Sequence, residues 1–126
     1  MEAYIELLNK HNRTLGNIGE KIAYMYLKIL GFEIIKCNFR CKYGEIDLIA
    51  KKNKTIHFVE VKTRTNKYIE ARNAINKSKQ EHIWKTSEYY LYKNNISDVS
   101  IEYDAVEIYL ENRHLEVNYI PQIIEK

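Results

Sequence analysis

Residues 45–63 alternate with a period of two, while long stretches on either side repeat every three to four residues. From Leu15 to Leu30 two stripes recur at helical spacing. One carries Leu15, Ile18, Ile22, Met25, Tyr26 and Ile29; the other is rich in small residues, with Gly16, Gly19, Ala23, Leu27 and Leu30. Both are expected to be buried, with Asn17, Lys21 and Lys28 in water and Gly31 as the residue that ends the helix. Phe32 to Asn38 reads as a strand, followed by a loop through Arg40 to Gly44. Two further strands, Glu45 to Ala50 and Ile56 to Thr63, flank a tight turn. A second long helix is expected from Ala71 to Lys93, with Ile75, Ile83, Thr86 and Tyr90 along its inner stripe. Strands at Ile101–Leu110 and Leu115–Tyr119 follow, separated by a turn at Glu111–His114. Residues Glu2–Asn9 read as a short leading helix or the start of the first long one, with a break near Asn12–Thr14. Thr65–Tyr68 reads as a flap-like loop.

Charge inside the alternation changes the picture. His57, Val59 and Val61 share one face of their strand, and Ile56, Phe58, Glu60 and Lys62 share the other. Apolar residues on both faces mark a covered, central strand. Burying a carboxylate and an ammonium there costs several kcal/mol unless they are paired or bind a metal. The turn decides where Asp47 falls. A two-residue Asn53-Lys54 loop sets Asp47 directly opposite Glu60, with Cβ atoms about 5 Å apart. A Lys52-Asn53 loop makes them diagonal neighbours, and an odd-numbered loop sends them to opposite faces. Two adjacent, partly dry carboxylates invite a divalent cation, and all-oxygen ligands suit Mg²⁺ or Mn²⁺. Lys62 shares the face and can orient a water or meet phosphate charge. The alternative is a buried ion pair between Lys62 and Asp47 or Glu60 with no chemistry.

Inward-facing Lys79 on the second helix calls for a carboxylate or phosphate partner, unless its stem packs and its head reaches water. Glu20 borders the small-residue stripe and is a candidate metal ligand or a solvated helix glutamate. Arg40 is a candidate phosphate contact on its loop. Trp84 and the Tyr89, Tyr90 and Tyr92 cluster read as core and helix surface rather than a base-stacking platform.

The chain of 126 residues predicts one domain, and 45% hydrophobic with 29% charged residues describes an ordinary globular protein. A net charge of +3 permits a nucleic-acid partner without demanding one. No apolar run is long enough for a signal peptide or a membrane span, which predicts a cytoplasmic chain with no membrane partner. Cys37 and Cys41 are then expected as reduced thiols, too few by themselves for a zinc site.

Asp47, twelve residues, then Glu60-Val61-Lys62 resembles the D-x(n)-E-x-K signature of PD-(D/E)XK nucleases. The wider set is more specific: Gly19-Glu20 with Ala23 and Leu27, Gly31-Phe32, Asn38, Arg40, GEIDLIA (Gly44–Ala50) and FVEVKTR (Phe58–Arg64). Together they resemble the YraN family, over about Gly16 to Tyr119. The resemblance implies an α/β, restriction-endonuclease-like fold of three layers. A mixed sheet, an antiparallel meander plus a strand joined in parallel after a crossover, would be flanked by helices. It also implies a metal-dependent endonuclease acting on DNA, branched or otherwise structured. Glu20, Asp47, Glu60 and the Val61 carbonyl would hold Mg²⁺ or Mn²⁺, Lys62 and Lys79 would serve catalysis, and Arg40 and Arg64 would contact nucleic acid. A homodimer is a further expectation from the resolvase-like fold. A module that keeps the fold and binds nucleic acid without turnover is the alternative. The chain departs from the family pattern at Glu102, where an arginine is usual, and at Ile69, where a glycine is usual. Asp104 is expected to be structural, paired with Lys79 or an arginine.

Overall fold

The computed structural model describes residues 15–65 and 76–124. In chain order they form α1 (Leu15–Ile29), β1 (Glu33–Cys41), β2 (Gly44–Lys52), β3 (Thr55–Arg64), α2 (Lys77–Lys93), β4 (Ser100–Glu111) and β5 (His114–Ile120). The expected elements over 2–9, 12–14, 66–68 and 71–75 lie outside the described residues.

The strands lie side by side in sequence order, β1-β2-β3-β4-β5. All neighbours are antiparallel except β3 and β4, which run parallel because α2 carries the chain back across the sheet. Each face has its own core. Ile18, Ile22, Ala23 and Leu27 of α1 pack on Leu48, Ala50, Val59, Val106 and Ile108. Ile83 and Tyr90 of α2 pack on Phe39, Ile46, Ile49, Ile56, Phe58 and Tyr103. The result is the α/β three-layer arrangement with a mixed sheet that the sequence predicts. None of the described helices is long and apolar enough to cross a membrane.

The C-terminal end of α1 follows from local chemistry. Gly31 adopts φ +97°. Its N–H bonds to Lys28 O at 3.0 Å, and the Phe32 N–H bonds to Leu27 O at 2.9 Å. That is the Schellman pattern, which favours glycine at the left-handed position. The buried face takes part of each expected stripe, Ile18 and Ile22 from one and Gly19, Ala23 and Leu27 from the other, and leaves out Leu30. Met25 is 50% exposed and Ile29 80%. The sheet covers the side where the two stripes adjoin, and the small residues there let the helix come close. Gly19 sets that approach, since a Cβ there would fall 1.7 Å from Thr63 Oγ1 and 3.0 Å from Thr63 Cβ.

β1 runs longer than the pattern implies. A bulge between Ile34 and Lys36 shifts the register, and Asn38 takes φ +53°. Asparagine tolerates this region, so the strand bends and continues instead of ending. Pairing resumes at Phe39↔Ile46 and runs to Cys41↔Gly44, which places Arg40 in a strand rather than a loop. The β2–β3 turn is the tight Asn53-Lys54 form, closed by Lys52↔Thr55, with Asn53 at φ +58°. Asn76 caps α2, its side chain accepting the Lys79 N–H at 2.8 Å.

The close seating of α1 is testable. Gly19→Ala is expected to cost about 1–3 kcal/mol through overpacking against Thr63. Thr63→Ala in the same chain should recover most of it, as a double-mutant cycle in urea denaturation would read. Additive losses would contradict the contact.

Candidate functional site

The hairpin ladder between β2 and β3 stops at Leu48↔Val59, one position short of Asp47 and Glu60. Beyond that point a side chain bridges the strands, with Asp47 Oδ2 accepting the Val61 N–H at 2.8 Å. On the other side of β2, Asn38 lies between the Cys37↔Leu48 and Phe39↔Ile46 pairs, alongside Asp47, and bends the neighbouring strand there. The sheet thus loosens around Asp47 from both sides. The Asn53-Lys54 turn sets the one register of the three in which Asp47 would lie directly opposite Glu60, and the ladder ends one position before that pair.

Glu60 is buried on the α2 face, and Lys79 reaches it from the first turn of α2, Nζ to Oε2 3.6 Å. Lys62 follows on the same face, partly buried, beside the Lys79 ammonium. Glu20 arrives from α1, which Gly19 lets sit low over the end of β3, and shares a hydrogen bond with the Asp47 carboxyl. Arg64 continues the Glu60–Lys62 line. Its Nε is buried and has no hydrogen-bond partner among the described residues. Arg40 is exposed and tied to Glu45, Nε to Oε2 2.8 Å, its charge helping to lower the Glu20 pKa. The Val61 side chain packs toward α1, so only its backbone takes part in the cluster.

Electrostatics at this cluster are unbalanced. Burial, then the charge of Asp47, pushes Glu20 up to about 7. Burial, then Asp47 again, pushes Glu60 up to about 7, with Lys79 and Lys62 offsetting only part. Asp47 is raised by burial despite the Val61 N–H and the Glu20 hydrogen bond that favour its anion. Lys62 is lowered by burial, then by Lys79, against the pull of Glu60 and Asp47. Three acids held toward their neutral forms beside a depressed lysine form a site short of positive charge.

Two groups escaped the sequence reading. Glu107 is buried in β4, in register with Lys62, and accepts a hydrogen bond from the Tyr109 hydroxyl. The rule that singled out Glu60, a charge within a covered strand, would have found it. The other group lies on the α1 face and corrects the expectation for Asp104. Lys79 is on the opposite face with Glu60, so Asp104 pairs instead with His57, Nδ1 to Oδ2 2.6 Å. Tyr119 donates to the same oxygen at 2.5 Å, and the Gln122 N–H to Oδ1 at 3.0 Å. Glu102 Oε2 also approaches His57 Nδ1, at 3.3 Å. Ligand atoms of His57, Glu102 and Asp104 all lie within 4.8 Å of one another, a spacing that could hold a metal ion. Among the described residues no other set of His, Cys, Asp and Glu does so, and Glu20, Asp47 and Glu60 are more widely spread.

Comparison with known proteins finds similar chains. The model of the uncharacterised protein family UPF0102 matches residues 19–108. A "UPF0102 protein" from Caldicellulosiruptor saccharolyticus is 42% identical over 113 residues, covering 87% of this chain and 96% of that protein. One from Acetivibrio thermocellus is 44% identical over 108 residues, covering 83% of each chain. One from Geobacter metallireducens is 37% identical over 119 residues, covering 94% of this chain and 98% of its own.

The charge imbalance predicts a pH signature. A carboxyl whose pKa rises on folding from 4.5 to about 7 takes up a proton as the chain folds. Stability contributed by the protonated form is therefore fully present below 4.5 and lost as pH rises through about 7. In urea denaturation without divalent metal, Glu60→Gln should gain stability relative to wild type across that window and hold the gain above it. A difference independent of pH would contradict the imbalance.

Proposed function

This chain belongs to the UPF0102 family, and from that premise we propose that it is a Mg²⁺- or Mn²⁺-dependent nuclease hydrolysing phosphodiester bonds in DNA. One observation carries the reading. Asp47 and Glu60 both have pKa values raised by burial, and at the loosened end of the hairpin they are close enough for the charge of Asp47 to raise Glu60 further. A depressed Lys62 lies beside them. An acid cluster short of positive charge fits a cation, and its all-oxygen donors fit a hard one.

Asp47, Glu60 and Glu20, with the Val61 carbonyl, would hold the ion. When bound, such an ion screens phosphate charge and acidifies water for attack. The chain's own residues do the rest. Lys62 has a larger neutral fraction than an exposed lysine, so its amine can accept a proton from the attacking water and orient it. Lys79, already beside Glu60, can turn its ammonium to the phosphate. Arg64 and Arg40 flank the cluster as contacts for the DNA backbone, and they position rather than read sequence. The resemblance to junction-resolving nucleases makes branched or structured DNA the favoured substrate and a symmetric pair of chains the favoured assembly. Residues 1–126 act in this reading as one cytoplasmic domain.

The direct test is cleavage of labelled four-way junctions, flaps and single strands with each metal. Metal-dependent cleavage is expected, abolished by Asp47→Ala or Glu60→Ala. Lys62→Ala should lower the cleavage rate about 10²–10⁴-fold, the range for a lost proton-transfer group, with DNA binding retained. Salt-sensitive DNA binding that Asp47→Ala leaves intact, with no cleavage of any substrate, would favour a non-catalytic module instead.

A further inference from the structure

His57, Glu102 and Asp104 lie on the α1 face, whereas Glu60 and Lys79 meet on the α2 face. Along β3, His57 is three residues from Glu60, roughly 10 Å at strand rise. The two clusters are therefore separate sites on separate faces of the sheet.

The His57 cluster has more acceptors than donors. Asp104 is fully buried, and its Oδ2 takes a hydrogen bond from Tyr119 while its Oδ1 takes the Gln122 N–H. His57 Nδ1 then faces two anionic oxygens, Asp104 Oδ2 at 2.6 Å and Glu102 Oε2 at 3.3 Å. A proton on Nδ1 can join the nitrogen to only one of them; a dication joins both. The surroundings resemble a supported ligand set. The Phe32 ring stands edge-on to His57 at 4.9 Å, and the Tyr119 ring packs on Phe32 at 5.8 Å. Gln122 holds φ +53° while its N–H orients Asp104, and its side-chain amide reaches Glu102 at 3.5 Å. An unfavourable backbone angle kept in place by one carboxylate marks a site that the fold maintains. Glu102, with a side chain 30% exposed, leaves a way in from solvent.

We propose that His57, Glu102 and Asp104 bind a borderline divalent transition-metal ion such as Zn²⁺. The site joins β3 and β4 to the segment after β5. One imidazole nitrogen with two carboxylates suits such an ion, whereas Mg²⁺ and Ca²⁺ prefer oxygen alone. Tyr119 serves as an orienting donor to Asp104 and keeps its proton, since burial and Asp104 hold its phenol far above the ordinary range. This site is independent of the proposed nuclease centre and would stand or fall without it.

The test is Zn²⁺ titration of chelator-treated protein by calorimetry, with Co²⁺ as a visible-absorption probe. Wild type should bind one Zn²⁺ at a site that survives Asp47→Ala and disappears in Glu102→Gln, a change of matching shape at a partly exposed residue. Zn²⁺ should raise the thermal midpoint of wild type and Asp47→Ala but not of Glu102→Gln. Tyr119→Phe should weaken binding about 10–100-fold, the usual effect of removing an orienting partner, and serves if Glu102→Gln fails to fold. Zn²⁺ binding that Glu102→Gln and Tyr119→Phe leave unchanged, or wild type that binds none, would overturn the proposal. Loss of Mg²⁺ binding or DNA cleavage alone would not touch it.

Discussion

The arrangement depends on two carboxylates brought into each other's field where the β2–β3 ladder gives out. Asp47 and Glu60 would repel and dehydrate one another in a regular sheet. Here the strain is accommodated locally: Asp47 takes the Val61 N–H, Glu60 takes Lys79, and the Asn38 bend loosens β1 alongside. Other elements are set by this pair. The Asn53 turn fixes the register that opposes the two acids. Gly19 lets α1 come low enough to bring Glu20 to Asp47, and the Asn76 cap starts α2 where Lys79 can reach Glu60. Each device is a small backbone feature, and each acts on the position of a charge.

The sheet also partitions its polar chemistry. On the α2 face burial raises the pKa of Glu60 and lowers that of Lys62, which brings both nearer to neutrality. On the α1 face the buried charges converge on one histidine and are braced by Tyr119 and the Gln122 backbone. The first arrangement is unsatisfied and open to solvent at Lys62. The second is flanked by the Phe32 and Tyr119 rings and reaches solvent at Glu102.

Much of this was legible in the residues because a sheet has a strict period. Alternation placed Glu60 and Lys62 on one face and His57, Val59 and Val61 on the other, and two of the three turn lengths kept Asp47 with Glu60. The helix end at Gly31 was equally clear, since glycine there has a conformational reason. What was hidden follows from tertiary choice. Nothing local says where a sheet will cut across two adjoining apolar stripes, so Met25, Ile29 and Leu30 read as core and are exposed. Asn38 looked like a strand end because the positive φ that asparagine tolerates serves a stop and a bend equally well. Asp104 found His57 rather than Lys79 because β3 and β4 pair in parallel, and that partner lies 47 positions away in the chain. Such a contact has no local signature.

The measurement that bears most directly on the central site is calorimetric titration of Mg²⁺ and Mn²⁺ into wild type and Asp47→Ala, alone and with a DNA junction present. If the acids at the open end of the hairpin form a cation site, wild type binds a dication and Asp47→Ala does not, while both remain folded. If neither protein binds either metal with DNA present, or both bind alike, the cluster is a buried ion network and its role as a hydrolytic centre is contradicted.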